Sequence, residues 1–178
     1  SFSITVNPFV PPPMVVDSFL PTNNELVNGF SISDKQGDKS YTSGGAYIQG
    51  FEKTYFRSEG FSGSESIAVS VWIVLEDTPF STAEEIALDE HDRKHENSKI
   101  QTKVGYKNFS PMFFPSECKG IEEDFTYQQK IQVYCVKDNL FFRVGALGDL
   151  WTMNEDVVDI TKTILKKIDP DYVEEVMD

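Results

Sequence analysis

Two histidines in the middle of the chain have the spacing of a metal site. His91 and His95 lie four positions apart in a segment rich in helix-forming residues. On a helix, positions i and i+4 share one face, which suits two imidazoles binding one zinc ion. Glu84 lies on a neighbouring ridge and would add an oxygen ligand. Because Arg93 and Lys94 place positive charge beside the histidines, a solvated helix end is the competing interpretation.

The two cysteines of the chain, Cys118 and Cys135, flank a predicted hairpin. Their Cα atoms can therefore approach within the distance that a disulfide needs. Closing a loop of 135 − 118 = 17 residues would stabilise the fold by about 3 kcal/mol. A disulfide would indicate an oxidising compartment. The alternative is a pair of reduced cysteines, with Cys135 buried in a strand, in a cytosolic protein.

An aromatic loop provides the candidate ligand site. Residues 109–115 combine three phenylalanines and a methionine with two prolines and show no regular period, which favours a loop over a strand. Large apolar side chains on a loop suit a lid or a contact patch. Trp151 follows the last predicted strand, so we predict a pocket rimmed by Trp151, Met112 and Phe113. In the alternative interpretation, these side chains plug the end of the domain.

Charge and composition limit the classes of function. The 178 residues contain 16 Lys+Arg and 29 Asp+Glu, a formal charge of −13. Phosphates would be repelled, so sequence-independent nucleic-acid binding and an anionic membrane surface are both disfavoured. The acidic clusters at residues 122–124, 154–156 and 169–171 lack the calcium-binding loop spacing. We interpret them as solvated faces. A chain of this size buries enough surface to fold without a cofactor.

The N-terminal segment, residues 1–16, differs from the rest. Its three consecutive prolines favour extended polyproline II structure. We interpret this segment as a stiff arm or tether that precedes a single domain at residues 17–178. Membrane attachment is expected only through an element upstream of Ser1. The alternative is an arm that packs on the domain through its apolar side chains.

Alternating apolar and polar residues predict about seven strands. The predicted strands are residues 29–35, 46–57, 67–75, 103–106, 120–127, 131–136 and 140–147. Residues 34–38 carry turn chemistry. The strand at residues 67–75 has apolar residues at both parities, so we predict a central strand covered on both faces.

Two helices complete the pattern. Ser81 and Glu84 have capping-box spacing before a helix at residues 82–96. The second half of this helix, from His91 onward, is almost wholly polar and is predicted to project into water. Asn154 is a predicted N-cap of the terminal helix. The apolar stripe of that helix consists of Val157, Ile160, Ile164 and Ile168.

The order of strands and helices predicts an α+β fold: a mainly antiparallel sheet of about six to seven strands covered by two main helices. The short connections between the later strands favour antiparallel neighbours. The parts that carry a family resemblance are Leu20-Pro21 before Gly29-Phe30, Gly45-Ala46, the strand at residues 67–75 leading through Pro79-Phe80-Ser81 into a helix, and the strand at residues 139–147.

This layout resembles the PsbP/LpqN-type α/β/α sandwich over residues 17–168. The type occurs in secreted or membrane-tethered lipoproteins and in photosystem extrinsic proteins. The resemblance implies non-catalytic binding or scaffolding at a membrane surface, with an unknown protein or small-molecule ligand. We therefore expect a non-enzymatic domain of the cell envelope. The alternatives are a metal-dependent hydrolase that uses the face of His91 and His95, and a cytosolic adaptor of the same fold.

Overall fold

The computed structural model describes residues 16–26, 29–43, 46–58, 64–73, 85, 88–89, 91–94, 96, 105–111, 114–124, 129–138, 140–148 and 153–173. Their strands are β1 (Ser31–Ser43), β2 (Ala46–Ser58), β3 (Ser64–Ile73), β4 (Gly105–Phe109), β5 (Cys118–Asp124), β6 (Gln129–Lys137) and β7 (Leu140–Gly148). The long helix is α1 (Met153–Ile168), and residues 88–89 and 91–94 are also helical. Residues 1–15 of the predicted arm (residues 1–16) and the predicted cap at Ser81 lie outside these ranges.

The seven strands form one antiparallel sheet in the order β1-β2-β3-β7-β6-β5-β4. Two meanders, β1-β2-β3 and β4-β5-β6-β7, meet where β3 pairs with β7. The connection from β3 to β4 reaches the opposite edge, so β3 and β7 become central strands. The prediction of an α+β fold with a mainly antiparallel sheet is confirmed.

One face of the sheet, the core face, is covered by α1 and by residues 16–26 and 29–30. Side chains alternate between the two faces of a strand, and the core-face side chains of β2, β3, β6 and β7 are largely buried. These residues include Tyr55, Ile67, Val69, Val71, Ile131, Val133, Phe142 and Val144. Three members of the predicted stripe of α1, Val157, Ile160 and Ile164, are buried, and Ile168 is partly buried. Val16, which the sequence placed in the arm, also lies in this core.

The opposite face, the second face, is partly covered over β6 by His91, one of the helical residues 91–94. The His91 ring packs edge-on against Tyr134, with the ring centroids 6.2 Å apart. Tyr134 is buried on this face, as are Ile121 and Phe141. The sheet therefore has helical residues on both faces, as predicted. Among the described residues, no helix is long and apolar enough to cross a membrane.

The predicted turn at residues 34–38 is wrong, because these residues lie within β1. Ile32 pairs with Tyr55 and Gln36 pairs with Lys53, so four steps along β1 match two steps along β2. A β-bulge accommodates such extra residues and lets the strand continue. The turn-forming residues therefore mark an irregular edge strand, and the chain reverses direction only between Ser43 and Ala46.

A buried ion cluster lies on the core face where β2, β3 and α1 meet. The Arg57 guanidinium forms an ion pair with Glu65 and lies 3.0 Å from an Asp156 carboxylate oxygen. The Phe30 ring lies 4.4 Å beneath the Arg57 guanidinium carbon. Burial acts to lower the pKa of Arg57, but hydrogen bonds and charge attraction from both carboxylates outweigh it and hold the pKa above its ordinary value. The cluster joins the sheet to the first turn of α1.

Residues 16–26 are tied to the domain by polar contacts. The Tyr55 hydroxyl donates a buried hydrogen bond to the Pro21 carbonyl at 2.9 Å. Glu25 accepts hydrogen bonds from the Thr22 amide and from Lys167, both at 2.7 Å. Partial burial acts to raise the pKa of Glu25, but the hydrogen bonds from Lys167 and Thr22 outweigh it, so the pKa lies below its ordinary value.

Replacement of Glu25 with glutamine should therefore cost stability in a pH-dependent way. A carboxyl group with a lowered folded-state pKa stabilises fully above its unfolded pKa, and its contribution disappears as the pH falls through the folded-state value. Because Glu25 is partly exposed, we expect a loss below about 1 kcal/mol at neutral pH. Urea unfolding of the unmodified protein and of Glu25→Gln, at neutral pH and at strongly acidic pH, measures this difference in the free energy of unfolding. A difference that grows on acidification would contradict the assignment.

Candidate functional site: a groove along the central strand

The second face of β3 is lined by small side chains. Ser66, Ala68 and Ser70 point to this face, because Ile67, Val69 and Val71 point into the core. Ser66 and Ala68 are partly exposed. The large apolar side chains of β3 are therefore buried on the core face. On the second face, its small side chains form the floor of a groove that runs along the strand.

The two strands beside β3 form the walls of this groove. The pairing register places Thr54 on β2 and Gly145 on β7 on either side of Ala68. Neighbouring strands lie about 4.8 Å apart, so the backbones of the two walls are about 10 Å apart. Among the described residues, a Cβ atom built on Gly145 would meet only the Ala68 carbonyl oxygen, at 3.7 Å. Because Gly145 has no side chain, this wall is low there.

One end of the groove is apolar and open. Phe56 and Leu147 flank Ser66 in the same register row. Their exposed fractions are 40% and 41%, and they are two of the three large apolar side chains that are exposed among the described residues. Because the small Ser66 side chain lies between them, the two larger side chains form an apolar notch that faces solvent.

The other end of the groove is charged and closed. Ser70 is fully buried and donates a hydrogen bond from its hydroxyl to a Glu52 carboxylate oxygen at 2.5 Å. Arg143 lies on the other side of Ser70, with a guanidinium nitrogen 3.9 Å from the same carboxylate oxygen. This end thus places a cationic and an anionic side chain beside a fully buried hydroxyl.

A second polar pair extends this end toward β6. Tyr134 is paired with Arg143 across the strands, and its hydroxyl donates to the Gln132 side-chain oxygen at 2.6 Å. Gln132 in turn is paired with Gly145. Polar side chains therefore continue beside the groove as far as Tyr134, the residue on which the His91 ring packs.

The structure describes one member of the predicted metal trio. The His91 side chain is 14% exposed, and its Nδ1 lies 3.1 Å from an Asp92 carboxylate oxygen. The prediction that this helix segment projects into water is wrong at His91, because its ring packs on Tyr134. His95 and Glu84 lie outside the described residues. Within those residues, no group of three or more side chains could hold a metal ion.

The predicted pocket residues, Trp151, Met112 and Phe113, all lie outside the described residues. On either side of the two loop residues, Phe109 and Phe114 pack edge to face with ring centroids 5.5 Å apart. Phe109 ends β4 and is almost fully buried. Phe109 belongs to the core, and Phe114 is partly buried against it.

The cysteine pair forms the disulfide that the sequence suggested. Cys118 and Cys135 are directly opposite in the β5–β6 ladder, and a disulfide bond joins them, with the Cα atoms 4.2 Å apart. The bond links β5, next to the edge of the sheet, to the more central β6. Neither cysteine is free.

The groove is the site that sequence reasoning missed. The signal in the sequence was the alternation of small residues at Ser66, Ala68 and Ser70 with large apolar ones. That pattern identifies the small side chains at the floor of the groove. It does not identify the walls, because these are formed by β2 and β7, which lie beside β3 only in the folded sheet. Phe56 and Leu147 lie far apart in sequence and become neighbours across β3 through the β3–β7 pairing.

The fold and the groove define an α+β domain with an open antiparallel sheet, a disulfide near one edge and a grooved face. Among solved structures, it is similar to the crystal structure of the extracellular domain of PknH from Mycobacterium tuberculosis. The TM-score is 0.55 at 12% sequence identity, over 93% of this chain and 99% of that chain. This likeness shows a shared fold. No protein-family model matches the chain, and no curated protein matches its sequence.

Proposed function

We propose that this chain is a non-enzymatic binding domain that works outside the cytoplasm and holds its ligand in the groove along β3. The observation that carries the proposal is the Cys118–Cys135 disulfide in a fold similar to that of an extracellular domain. Disulfides between directly paired strands persist in oxidising compartments and are rare where thiols are kept reduced.

The groove supports binding as the activity. Its walls expose apolar surface at Phe56 and Leu147, and ligand sites combine apolar lining with a few placed polar groups. At the closed end, Ser70 and Glu52 hydrogen-bond each other, an arrangement suited to orienting a ligand. Three finer assignments belong to the same proposal: the PsbP/LpqN type of sandwich, a lipoprotein or secreted form, and membrane attachment through an upstream tether.

The compartment is tested by trapping thiols in living cells that make the full-length protein. We expect Cys118 and Cys135 to resist an alkylating reagent in denatured, acid-quenched extracts until a reductant is added. Mass spectrometry then counts the added groups. Alkylation of both cysteines without reductant would contradict an extracytoplasmic location and would favour the cytosolic adaptor.

A further inference from the structure

The sequence contains one acceptor motif for N-linked glycosylation. Asn108, Phe109 and Ser110 form an Asn-x-Ser triplet whose middle residue is not proline. No other asparagine of the sequence is followed two positions later by serine or threonine. A glycan is bulky and solubilising, and it is added at surface positions of exported proteins. The motif therefore makes two demands, one on the fold and one on the compartment.

The fold places the acceptor asparagine at the rim of the sheet. β4 is the last strand in the sheet order, and among the described strands it pairs with β5 alone. Asn108 lies opposite Ile121 on the second face, and its side chain is exposed. Ser110, the first residue after β4, is exposed as well. An exposed side chain on an edge strand leaves room for a bulky group on the side away from β5.

The middle residue of the triplet holds the motif in this orientation. Phe109 is 2% exposed and belongs to the core, where its ring packs edge to face on Phe114. Phe109 also lies so close to β5 that a Cβ atom built on Gly120 would approach it within 2.9 Å. Successive side chains of a strand point to opposite faces. Because Phe109 points into the core, Asn108 points away from it.

The disulfide meets the demand on the compartment. Cys118 lies 118 − 108 = 10 residues after Asn108, on the strand that pairs with β4, and it is joined to Cys135. Disulfides persist in oxidising compartments and are rare in the cytosol. Acceptor triplets are modified in proteins that leave the cytoplasm. An exported chain with an exposed triplet satisfies both demands.

We propose that Asn108 carries an N-linked glycan. The donor is an oligosaccharide joined to a lipid through a diphosphate. The side-chain amide nitrogen of Asn108 forms a bond with the anomeric carbon of the donor and gives up one proton. The bond between that carbon and the diphosphate oxygen breaks, and the lipid diphosphate leaves with the electron pair. This inference rests on the extracytoplasmic location proposed above and adds a modification site to it.

Mass spectrometry of the full-length protein, isolated from the cells that make it, tests the site. Pro111 follows the triplet and restricts the conformation of Ser110, so we expect a modified and an unmodified population. The modified one should be heavier by several sugar residues, all on the peptide that contains Asn108. An unmodified peptide in every molecule would overturn the proposal.

Three variants at the two exposed positions of the motif locate the glycan. The added mass should be lost in Asn108→Gln, which removes the acceptor, and in Ser110→Ala, which removes the hydroxyl. It should persist in the matched control Ser110→Thr, which keeps a hydroxyl. Because both positions are exposed, all three variants should fold and keep the disulfide. Added mass that survives Asn108→Gln would overturn the assignment.

Thiol trapping in the same cells separates this proposal from the proposed function. Oxidised cysteines with an unmodified Asn108 would overturn the glycan and leave the extracytoplasmic location standing. Reduced cysteines with an unmodified Asn108 would contradict both. A glycan on Asn108 would support both the site and the export of the chain.

Discussion

Replacing Arg57 with methionine is expected to lower the free energy of unfolding by about 3–5 kcal/mol. The substitution keeps much of the side-chain volume and removes the positive charge. Glu65 and Asp156, whose side chains are 7% and 2% exposed, would then lose this cation while staying buried. An uncompensated buried charge costs several kcal/mol. The contact with the Phe30 ring would be lost as well. Denaturant unfolding at neutral pH measures the change.

Two controls separate this effect from the loss of a surface charge or of packing. Lys130 pairs with Glu123 at 3.6 Å but is 42% exposed, so Lys130→Met should cost less than about 1 kcal/mol. The triple variant Arg57→Met, Glu65→Met, Asp156→Leu removes all three charges and should be more stable than Arg57→Met alone. If Arg57→Met costs no more than Lys130→Met, the ion cluster does not hold the sheet to α1.

Removing the disulfide should have the second large effect. The double variant Cys118→Ala, Cys135→Ala is expected to lose about 3 kcal/mol, because a closed loop of this length restricts the unfolded chain by that amount. The sequence separation is 17 residues. Chemical unfolding of the oxidised protein and of the variant gives the difference.

Reductant provides the matched control for the disulfide. Added reductant should bring the unmodified protein close to the stability of the double variant, and it should leave the double variant unchanged. A loss within about 0.5 kcal/mol, typical of surface substitutions, would show that the β5–β6 ladder holds together without the bond.

Most strands could be predicted from the sequence, because the alternation of apolar and polar side chains along a strand does not depend on which strands pair with it. The strand at residues 67–75 was predicted to be central and covered on both faces. β3 does lie in the interior of the sheet, third of its seven strands, and its core face is buried. The prediction of cover on the second face is wrong at Ser66 and Ala68, which are partly exposed. The bulge in β1 was missed because residues 34–38 have the chemistry of a turn. Only pairing with β2 reveals that the strand continues through them.

The groove could not be predicted from the sequence, and the reason is physical. A groove on a sheet face depends on which strands lie side by side and in what register, and β3 and β7 are separated by the whole β4–β6 meander. His91 shows the same limit, since its polar neighbours predicted solvent while Tyr134 from a distant strand covers it. The disulfide could be predicted from the sequence, because both cysteines lie in one local hairpin. The metal trio and the pocket at Trp151 stay predictions.

The most direct test of the groove is a map of the backbone amide chemical shifts of the ¹⁵N-labelled protein during titration with octanol, a small probe with one apolar end and one polar end. We predict that the largest shifts fall on the groove residues Thr54, Ala68 and Gly145, and that they saturate together. Shifts centred on Met112, Phe113 and Trp151, with the groove residues unmoved, would contradict the groove as the binding site and would favour the pocket that the sequence predicts.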